Sequence, residues 1–301
     1  MTAVSCSSDV EEFSDNKNNG KEITFVAGNP TFPETRSYIN IDGEKLTPMW
    51  RVGDYLTIFC NNNAGNVSVR TEGAKSNALT SKFKISDGTA VANSNKFVAI
   101  HLGDASRNIN YDYRSGVFSN LLIENRQSVS YTEFSTDNDI LVSKTYVPGA
   151  DFGRQPFALE FLRVNAVMRL NIIDETGRLN GSKLSSLTIS APEEEEANNG
   201  LFGTFSFNSK TCEITKENAK KNYQSDNADR FYIGDNTYST YIHCIPTTLH
   251  KGNTLKFKII TLYGNVVEKT ITLPTDVLFE SSKITTLNVT VKSEDFGKTS
   301  F

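Results

Sequence analysis

Few side chains in this sequence have both the type and the spacing that catalysis or metal binding requires. The chain has three histidines and four cysteines, and they are densest in the segment YIHCIP at 241–246, which His250 follows. His243 and Cys244 are adjacent in a strand-like segment, so their side chains point to opposite faces of a sheet. We therefore interpret them as strand packing, in preference to a metal site or a Cys/His nucleophile pair.

Carboxylates form two local clusters, Asp137-Asn138-Asp139 and Glu193–Glu196. Paired catalytic carboxylates come from separate elements that converge in a cleft, so the first cluster is predicted to form a turn. The glutamate run predicts a solvated loop, because like charges repel and because the spaced Asp and Gly of a calcium loop are missing.

The sequence contains none of the motifs GxSxG, HExxH, GxxxxGK[ST] and GxGxxG. A hydrolase with dispersed carboxylates is conceivable, but no residue pattern favours it. We predict a protein without enzymatic activity, with no catalytic residues, cofactor or metal.

The cysteines leave two readings open. No CxxC spacing occurs among Cys6, Cys60, Cys212 and Cys244, which argues against zinc and redox sites. Cys212 and Cys244 form a candidate disulfide in an oxidising compartment. The alternative is two buried free thiols, as in many sandwich cores.

Charge and hydropathy restrict the partners. The formal net charge is −4, and no basic stretch is present that would neutralise a run of phosphates, so nucleic acid is excluded as a predicted partner. No window of about 18 apolar residues occurs. Membrane attachment would therefore be covalent or through a partner.

The elements that carry these residues are predicted to be strands. Apolar and polar residues alternate in 286–292 and in the hairpin 255–273, while 55–60 is apolar on both faces, as in a buried strand. The segment 216–223 has no apolar stripe and is predicted to be a surface turn of helix or a loop. Strands at this spacing predict an all-β fold of β-sandwiches.

A proline- and glycine-rich stretch, PGADFGRQP at 148–156, marks a predicted division of the chain. We expect residues 1–21 to be a disordered polar tether. Residues 22–153 then form an N-terminal sandwich and residues 154–301 a C-terminal one.

Five stretches of the sequence together form a recognisable pattern. They are, in order, Thr35-Arg36 with WRVGD at 50–54, DNDILVSKT with PFALEFLRVNAVMRLNII, FGTFSFNSKTCEIT, YIHCIPTTLHKGNTLKFKIITLYGN and SSKITTLNVTV. This pattern resembles the fimbrillin-like lipoproteins of the Bacteroidetes, which include the subunits of type V pili. The resemblance covers roughly residues 22 to 292, with Arg163 at a position where members often have a histidine and Ser282-Lys283 where they usually have Gly-Lys.

The resemblance implies two tandem transthyretin-like Greek-key sandwiches and assembly with other pilin subunits. In such assembly a strand from a neighbour fills an open groove. In similar pilins, cleavage after Arg or Lys removes the first strand, which makes Arg36 a candidate processing site; the plainer reading is a surface arginine in a loop. The tail after Val291, KSEDFGKTSF, makes a poor donor strand, which favours a tip, an anchor or a stand-alone adhesin over a main stalk subunit.

Cys6 is the candidate lipidation site. It follows Ala3-Val4-Ser5, a loose lipobox, and precedes an acidic stretch similar to surface-export signals of this phylum. Only five residues precede it, too few for a signal core, which predicts that the chain begins late. The expected location is the outer surface of the outer membrane, through a lipid anchor.

The alternative function is a carbohydrate-binding surface protein of a glycan-uptake system. Sandwiches present aromatic platforms to glycans, and Tyr111, Tyr113 and Trp50 are the candidate platform residues. Trp50 precedes a buried strand and is better explained as a core residue.

Overall fold

The computed structural model describes residues 22–28, 40–41, 44–45, 50–62, 65–103, 108–128, 138–190, 200–220, 222–226, 233 and 237–297. Cys6, Arg36, Asp137 and Glu193–Glu196 lie outside the described residues, so the predictions made for them remain predictions.

The first half of the described chain forms short strands and one short helix, α1 (Thr89–Ala92). Its strands, in chain order, are β1 (Ile23–Gly28), β2 (Asn40–Ile41), β3 (Glu44–Lys45), β4 (Thr57–Asn62), β5 (Gly65–Arg70), β6 (Thr80–Ile85), β7 (Lys96–His101), β8 (Asn110–Asp112), β9 (Val117–Ile123), β10 (Arg126–Ser128), β11 (Leu141–Ser143), β12 (Phe157–Leu159) and β13 (Phe161–Arg163).

The second half has longer strands and one 3₁₀ turn at Ser293–Asp295. Its strands are β14 (Ala166–Asp174), β15 (Leu184–Ser190), β16 (Phe202–Asn208), β17 (Ile214–Lys220), β18 (Asn222–Asp226), β19 (Thr237–Cys244), β20 (Thr247–Leu249), β21 (Thr254–Thr261), β22 (Val266–Thr272), β23 (Val277–Phe279) and β24 (Ile284–Val291).

The strands pair into several sheets, which confirms the predicted all-β sandwich fold. The larger sheets have the strand orders β12-β1-β6, β13-β11-β7-β4-β5, β17-β16-β9-β8, β10-β18-β15-β21-β22 and β19-β14-β24. The hairpin predicted at 255–273 is present as β21 and β22, with Gly264 at φ +83° in its turn.

Two hydrophobic clusters share the sheet that contains β7. Phe97 and Ala99 belong to the first cluster, with Ile23, Phe25 and other residues of the N-terminal half. Their neighbours on β7, Val98 and Ile100, belong to the second cluster, which is built mostly from residues beyond 100. Because successive side chains of a strand point to opposite faces, both faces of this sheet are buried, as the apolar pattern of 55–60 predicted for β4.

Strand pairing crosses the predicted division at 153/154 in both directions. β12 pairs with β1 and β13 pairs with β11, although both strands follow residue 154. Conversely, β9 pairs with β16, and β10 pairs with β18. The prolines and glycines of 148–156 therefore lie between β11 and β12, which pair with the earlier strands β7 and β1.

The prediction for 216–223 was wrong. Residues 214–220 form β17, which pairs with β16 along its length, and 222–226 form β18, which pairs with β15. Helix-favouring residues such as Lys216, Glu217 and Ala219 do not decide the local structure, because pairing with a neighbouring strand outweighs weak intrinsic propensity.

Candidate functional site

Strand β1 lies in the middle of its sheet, with hydrogen-bonded neighbours on both sides. It runs antiparallel to β6, from Ile23 opposite Ile85 to Gly28 opposite Thr80. It runs parallel to β12, with Phe25 opposite Phe157. The first described strand of the chain thus links β6 to β12, which comes much later in the sequence.

The inner face of β1 supplies the centre of the first hydrophobic cluster. Ile23, Phe25 and Ala27 are fully buried. The Phe25 ring lies 5.9 Å from the ring of Phe97 and 6.2 Å from that of Phe152. Loss of β1 would expose this aromatic cluster and leave two strands without backbone partners.

Trp50 fixes the far end of β1. Its indole Nε1 donates a 2.8 Å hydrogen bond to the carbonyl oxygen of Ala27, and its ring packs edge-on against Phe83 and His101. Trp50 is fully buried, so the interpretation of Trp50 as a core residue was correct and it is not available as a glycan platform.

A buried ion pair joins the end of β13 to the residues just before β11. Arg163, on β13, donates from Nε to Oδ1 of Asp139 at 2.6 Å and from a terminal nitrogen to Oδ2 at 2.9 Å. Both side chains are excluded from solvent. Burial alone raises the pKa of Asp139, but the Arg163 guanidinium outweighs it and holds that pKa below the usual value.

The prediction that Asp139 forms a polar turn was therefore wrong. The signal that pointed to the ion pair was the arginine itself, which interrupts the apolar run FALEFLRVNAVM. A charged residue inside such a run is buried with a partner or lies on a wet face. Sequence alone does not identify a partner that is 24 residues away.

Asn165 and Gln127 extend the polar junction to β19. Oδ1 of Asn165 accepts from the Ile140 amide at 2.9 Å, so its Nδ2 is the atom that faces Nδ1 of His243 at 2.7 Å. The His243 ring consequently accepts at Nδ1. The Gln127 side chain accepts from the His243 amide and donates to the His243 carbonyl, which ties β10 to β19.

This junction is suited to holding strands together and not to chemistry. His243 is buried and engaged, and His101 is buried with Nδ1 3.0 Å from the Tyr55 carbonyl. His243 and Cys244 occupy successive, oppositely directed positions on β19, as predicted. Within the described ranges, no group of three or more His, Cys, Asp or Glu side chains is placed to hold a metal ion.

The proposed aromatic platform at Tyr111 and Tyr113 was wrong. Both side chains are buried, with 7% and 4% of their surface exposed. Their rings pack edge-on at 4.6 Å from centre to centre, and Tyr111 also packs on Phe118. Burial in the second hydrophobic cluster removes the flat exposed face that stacking on a sugar requires.

Cys212 and Cys244 do not form a disulfide in the structure. Cys212 is an exposed free thiol in the turn before β17, whereas Cys244 is a buried free thiol on β19. Desolvation raises the pKa of Cys244 and raises the pKa of Cys60, also buried, to about 12. Of the two, Cys244 alone has the burial that the free-thiol alternative expected.

The segment that follows β24 docks on β22, the edge strand of the neighbouring sheet β10-β18-β15-β21-β22. Phe296 pairs with Val267 of β22, and the Gly297 amide donates to the Val266 carbonyl at 2.9 Å. Lys269 and Asp295 form an ion pair at 2.9 Å. Residues up to 297 therefore cap the outer strand β22.

Comparison with known proteins finds similarity in structure only. Neither the protein-family models nor the curated proteins include a match to this chain. Within the described residues, no helix is long and apolar enough to cross a membrane.

Two solved structures resemble the chain along nearly its whole length. A candidate cell adhesion protein from Bacteroides ovatus is 14% identical, with a TM-score of 0.54, and the match covers 93% of this chain and 95% of that one. A candidate cell adhesion protein from Bacteroides uniformis is 13% identical, with a TM-score of 0.51, and the match covers 92% and 94%. The chain therefore has the overall fold of these Bacteroides proteins.

Proposed function

We propose that this chain is a non-enzymatic, surface-exposed lipoprotein of the fimbrillin-like type. It assembles with other pilin subunits by β-strand complementation and acts in adhesion to a protein or glycan on a host or bacterial surface. The observation that carries the proposal is the position of β1, which is short, central in its sheet and directed into an aromatic cluster.

The geometry of β1 supports its replacement by a strand from another subunit. β6 and β12 would offer free N–H and C=O groups on both sides of the vacated groove, which a new strand would pair. The pockets now filled by Ile23, Phe25 and Ala27 would accept alternate apolar side chains. Backbone pairing would provide affinity, and these pockets would provide specificity.

Cleavage after Arg36 would release β1 from the rest of the chain. Arg36 follows β1 and precedes the residues that continue to Trp50, so a cut there leaves β1 held only by noncovalent contacts. Lipidation at Cys6 would anchor the uncut protein in the outer membrane. Fold similarity to candidate adhesion proteins agrees with this surface role.

The docked segment before residue 298 supports the preference for a tip, an anchor or a stand-alone adhesin. In the described residues after β24, Phe296 lies under the Arg178 guanidinium, 3.9 Å from the ring centre. Asp295 is engaged with Lys269. A segment held on its own domain in this way is a less ready donor for a neighbour than a free strand.

The processing step is tested with native protein isolated from the outer membranes and from the sheared surface material of producing cells. We expect mature protein that begins at Ser37 and that migrates, without boiling, in SDS-resistant complexes with another subunit. The Arg36→Gln variant should remain uncut and monomeric, and Arg51→Gln, which changes a nearby arginine, should behave like the parent. Monomers of identical size in all three preparations would refute assembly by processing.

A further inference from the structure

The outer face of the sheet β19-β14-β24 presents two ordered rows of polar side chains. The register places Tyr241, Arg169 and Thr286 side by side in one row. The next row on the same face contains Ser239, Asn171 and Asn288. The rows are separated along the strands by about 7 Å, the repeat of two residues, and they cross all three strands.

The second row is a hydrogen-bonded ladder whose free groups are largely donors. The Ser239 hydroxyl donates to Oδ1 of Asn171 at 2.7 Å, and Nδ2 of Asn171 donates to Oδ1 of Asn288 at 2.8 Å. These bonds fix the orientation of both amides. The Nδ2 group of the exposed Asn288 and the second N–H of Asn171 take no part in these two bonds, so they can donate to a ligand.

The first row contains two buried polar atoms without a partner. Nε of Arg169 and the hydroxyl of Tyr241 are both buried and form no hydrogen bond. Only 4% of Tyr241 is exposed, and desolvation raises the pKa of its hydroxyl to about 12 although Arg169 lowers it, so it remains a donor. A buried donor without an acceptor is unfavourable, because it has lost its hydrogen bond to water and has gained none in the protein.

The two rows carry one positive charge and no carboxylate. Outward polar residues are ordinary on an exposed sheet face, but an unpaired arginine beside a fixed row of donors is complementary to a ligand rich in anionic oxygen. Protein interfaces have apolar and aromatic residues at their centre, whereas the one aromatic residue of these rows, Tyr241, is buried. The face therefore fits a polyhydroxylated, acidic ligand better than a protein.

We propose that this face binds an acidic glycan, through a carboxylate or a sulfate at Arg169 and hydroxyl oxygens at Asn171 and Asn288. An anionic oxygen would accept from the Arg169 guanidinium in a charge-assisted hydrogen bond. The inference rests on the adhesive part of the proposed function and names the chemistry of its ligand. The face does not include β1, so the result of a glycan-binding test does not decide whether strand complementation occurs.

The test is calorimetric titration of the full chain with oligogalacturonate, which carries carboxylates, and with a chondroitin sulfate oligosaccharide, which also carries sulfates. A neutral maltodextrin and polyglutamate are the comparison probes. The variants are Arg169→Gln, Asn288→Ala and the matched control Lys256→Gln, which removes an exposed positive charge from a different sheet.

We expect one or both acidic glycans to bind, with affinity that falls as salt rises. Arg169→Gln should weaken binding about tenfold or more, since a hydrogen bond to a charged group is lost. Asn288→Ala, at an exposed position that leaves folding intact, should weaken it several-fold, and Lys256→Gln should not change it. Tighter binding of oligogalacturonate would identify a carboxylate as the preferred anion, and tighter binding of the chondroitin sulfate oligosaccharide would identify a sulfate.

Four results would overturn the proposal. They are the absence of binding to both acidic glycans, equal affinity for maltodextrin, equal or tighter binding of polyglutamate, and an equal loss in Lys256→Gln and Arg169→Gln. The result with polyglutamate would mean that the ligand is an acidic polypeptide. An equal loss in Lys256→Gln would mean a non-specific effect of charge.

Discussion

Asp139 and Arg163 are a fully buried, doubly hydrogen-bonded ion pair at the contact between the two sets of strands. A buried pair of this kind contributes little compared with well-packed apolar residues, but removal of one partner leaves an uncompensated charge. The main effect of the pair is therefore to fix the position of β13 relative to the segment before β11. Its contribution to net stability is small.

Asp139→Asn is predicted to lower the free energy of unfolding by about 3–5 kcal/mol, because the buried Arg163 guanidinium loses the carboxylate that Asp139 supplies. Urea denaturation measures the change. Glu160→Gln, which breaks the exposed ion pair with Lys144, is the control and should have a much smaller effect. Equal losses in the two variants would contradict the role assigned to burial.

The same pair predicts a pH dependence. The pKa of Asp139 is lowered in the folded state, so its stabilising contribution is present above the unfolded pKa of about 3.9. That contribution is lost as the pH falls through the lower folded value. The difference in unfolding free energy between the parent and Asp139→Asn should thus shrink below about pH 4, and a difference that grows there would contradict the assignment.

At the scale of elements, the strand pair β16–β17 shows why the prediction of a helical turn or loop at 216–223 was wrong. β17 alternates only weakly between half-buried and exposed residues, so its period-two signal is faint. Its structure is imposed by β16, which approaches it closely at Gly203. That glycine has φ +108°, and a Cβ there would lie 2.0 Å from the Asn218 carbonyl oxygen.

Gly203→Ala is predicted to destabilise the protein by more than about 1 kcal/mol, because alanine is strained at this φ and collides with backbone. Thermal unfolding measures the loss. Gly149→Ala is the matched control, since its added Cβ would have no neighbour within 4 Å. A neutral Gly203→Ala would mean that β17 is not held against β16 as described.

Strands with a strong pattern were predictable, and contacts between distant strands were not. The alternation in 286–292 and the hairpin 255–273 identified β24, β21 and β22, because side-chain period and turn residues are local signals. The division predicted at 153/154 rested on a local signal, whereas β12 and β13 pair across it with β1 and β11. No local signal encodes such pairing.

At the scale of the whole molecule, the sheet that contains β7 has apolar residues of two clusters on its opposite faces. Strands from both halves of the sequence are interleaved on one of these faces, through β9 with β16 and β10 with β18. By contrast, β1 contributes only to the first cluster. Loss of β1 would therefore remove side chains from the first cluster and none from the second.

Replacement of β1 by an added strand is the central claim, and peptide exchange measures it most directly. The protein is cut after Arg36 in vitro and incubated with a fluorescent peptide of residues 22–28, EITFVAG, and bound fluorescence is followed by gel filtration. The control peptide carries Phe25→Asp, which places a charge in the aromatic cluster. We predict stable uptake of the parent peptide by cut protein only, with release of the original β1, and little uptake of the control. Cut protein that retains its own β1 and takes up neither peptide, or both equally, would contradict the account.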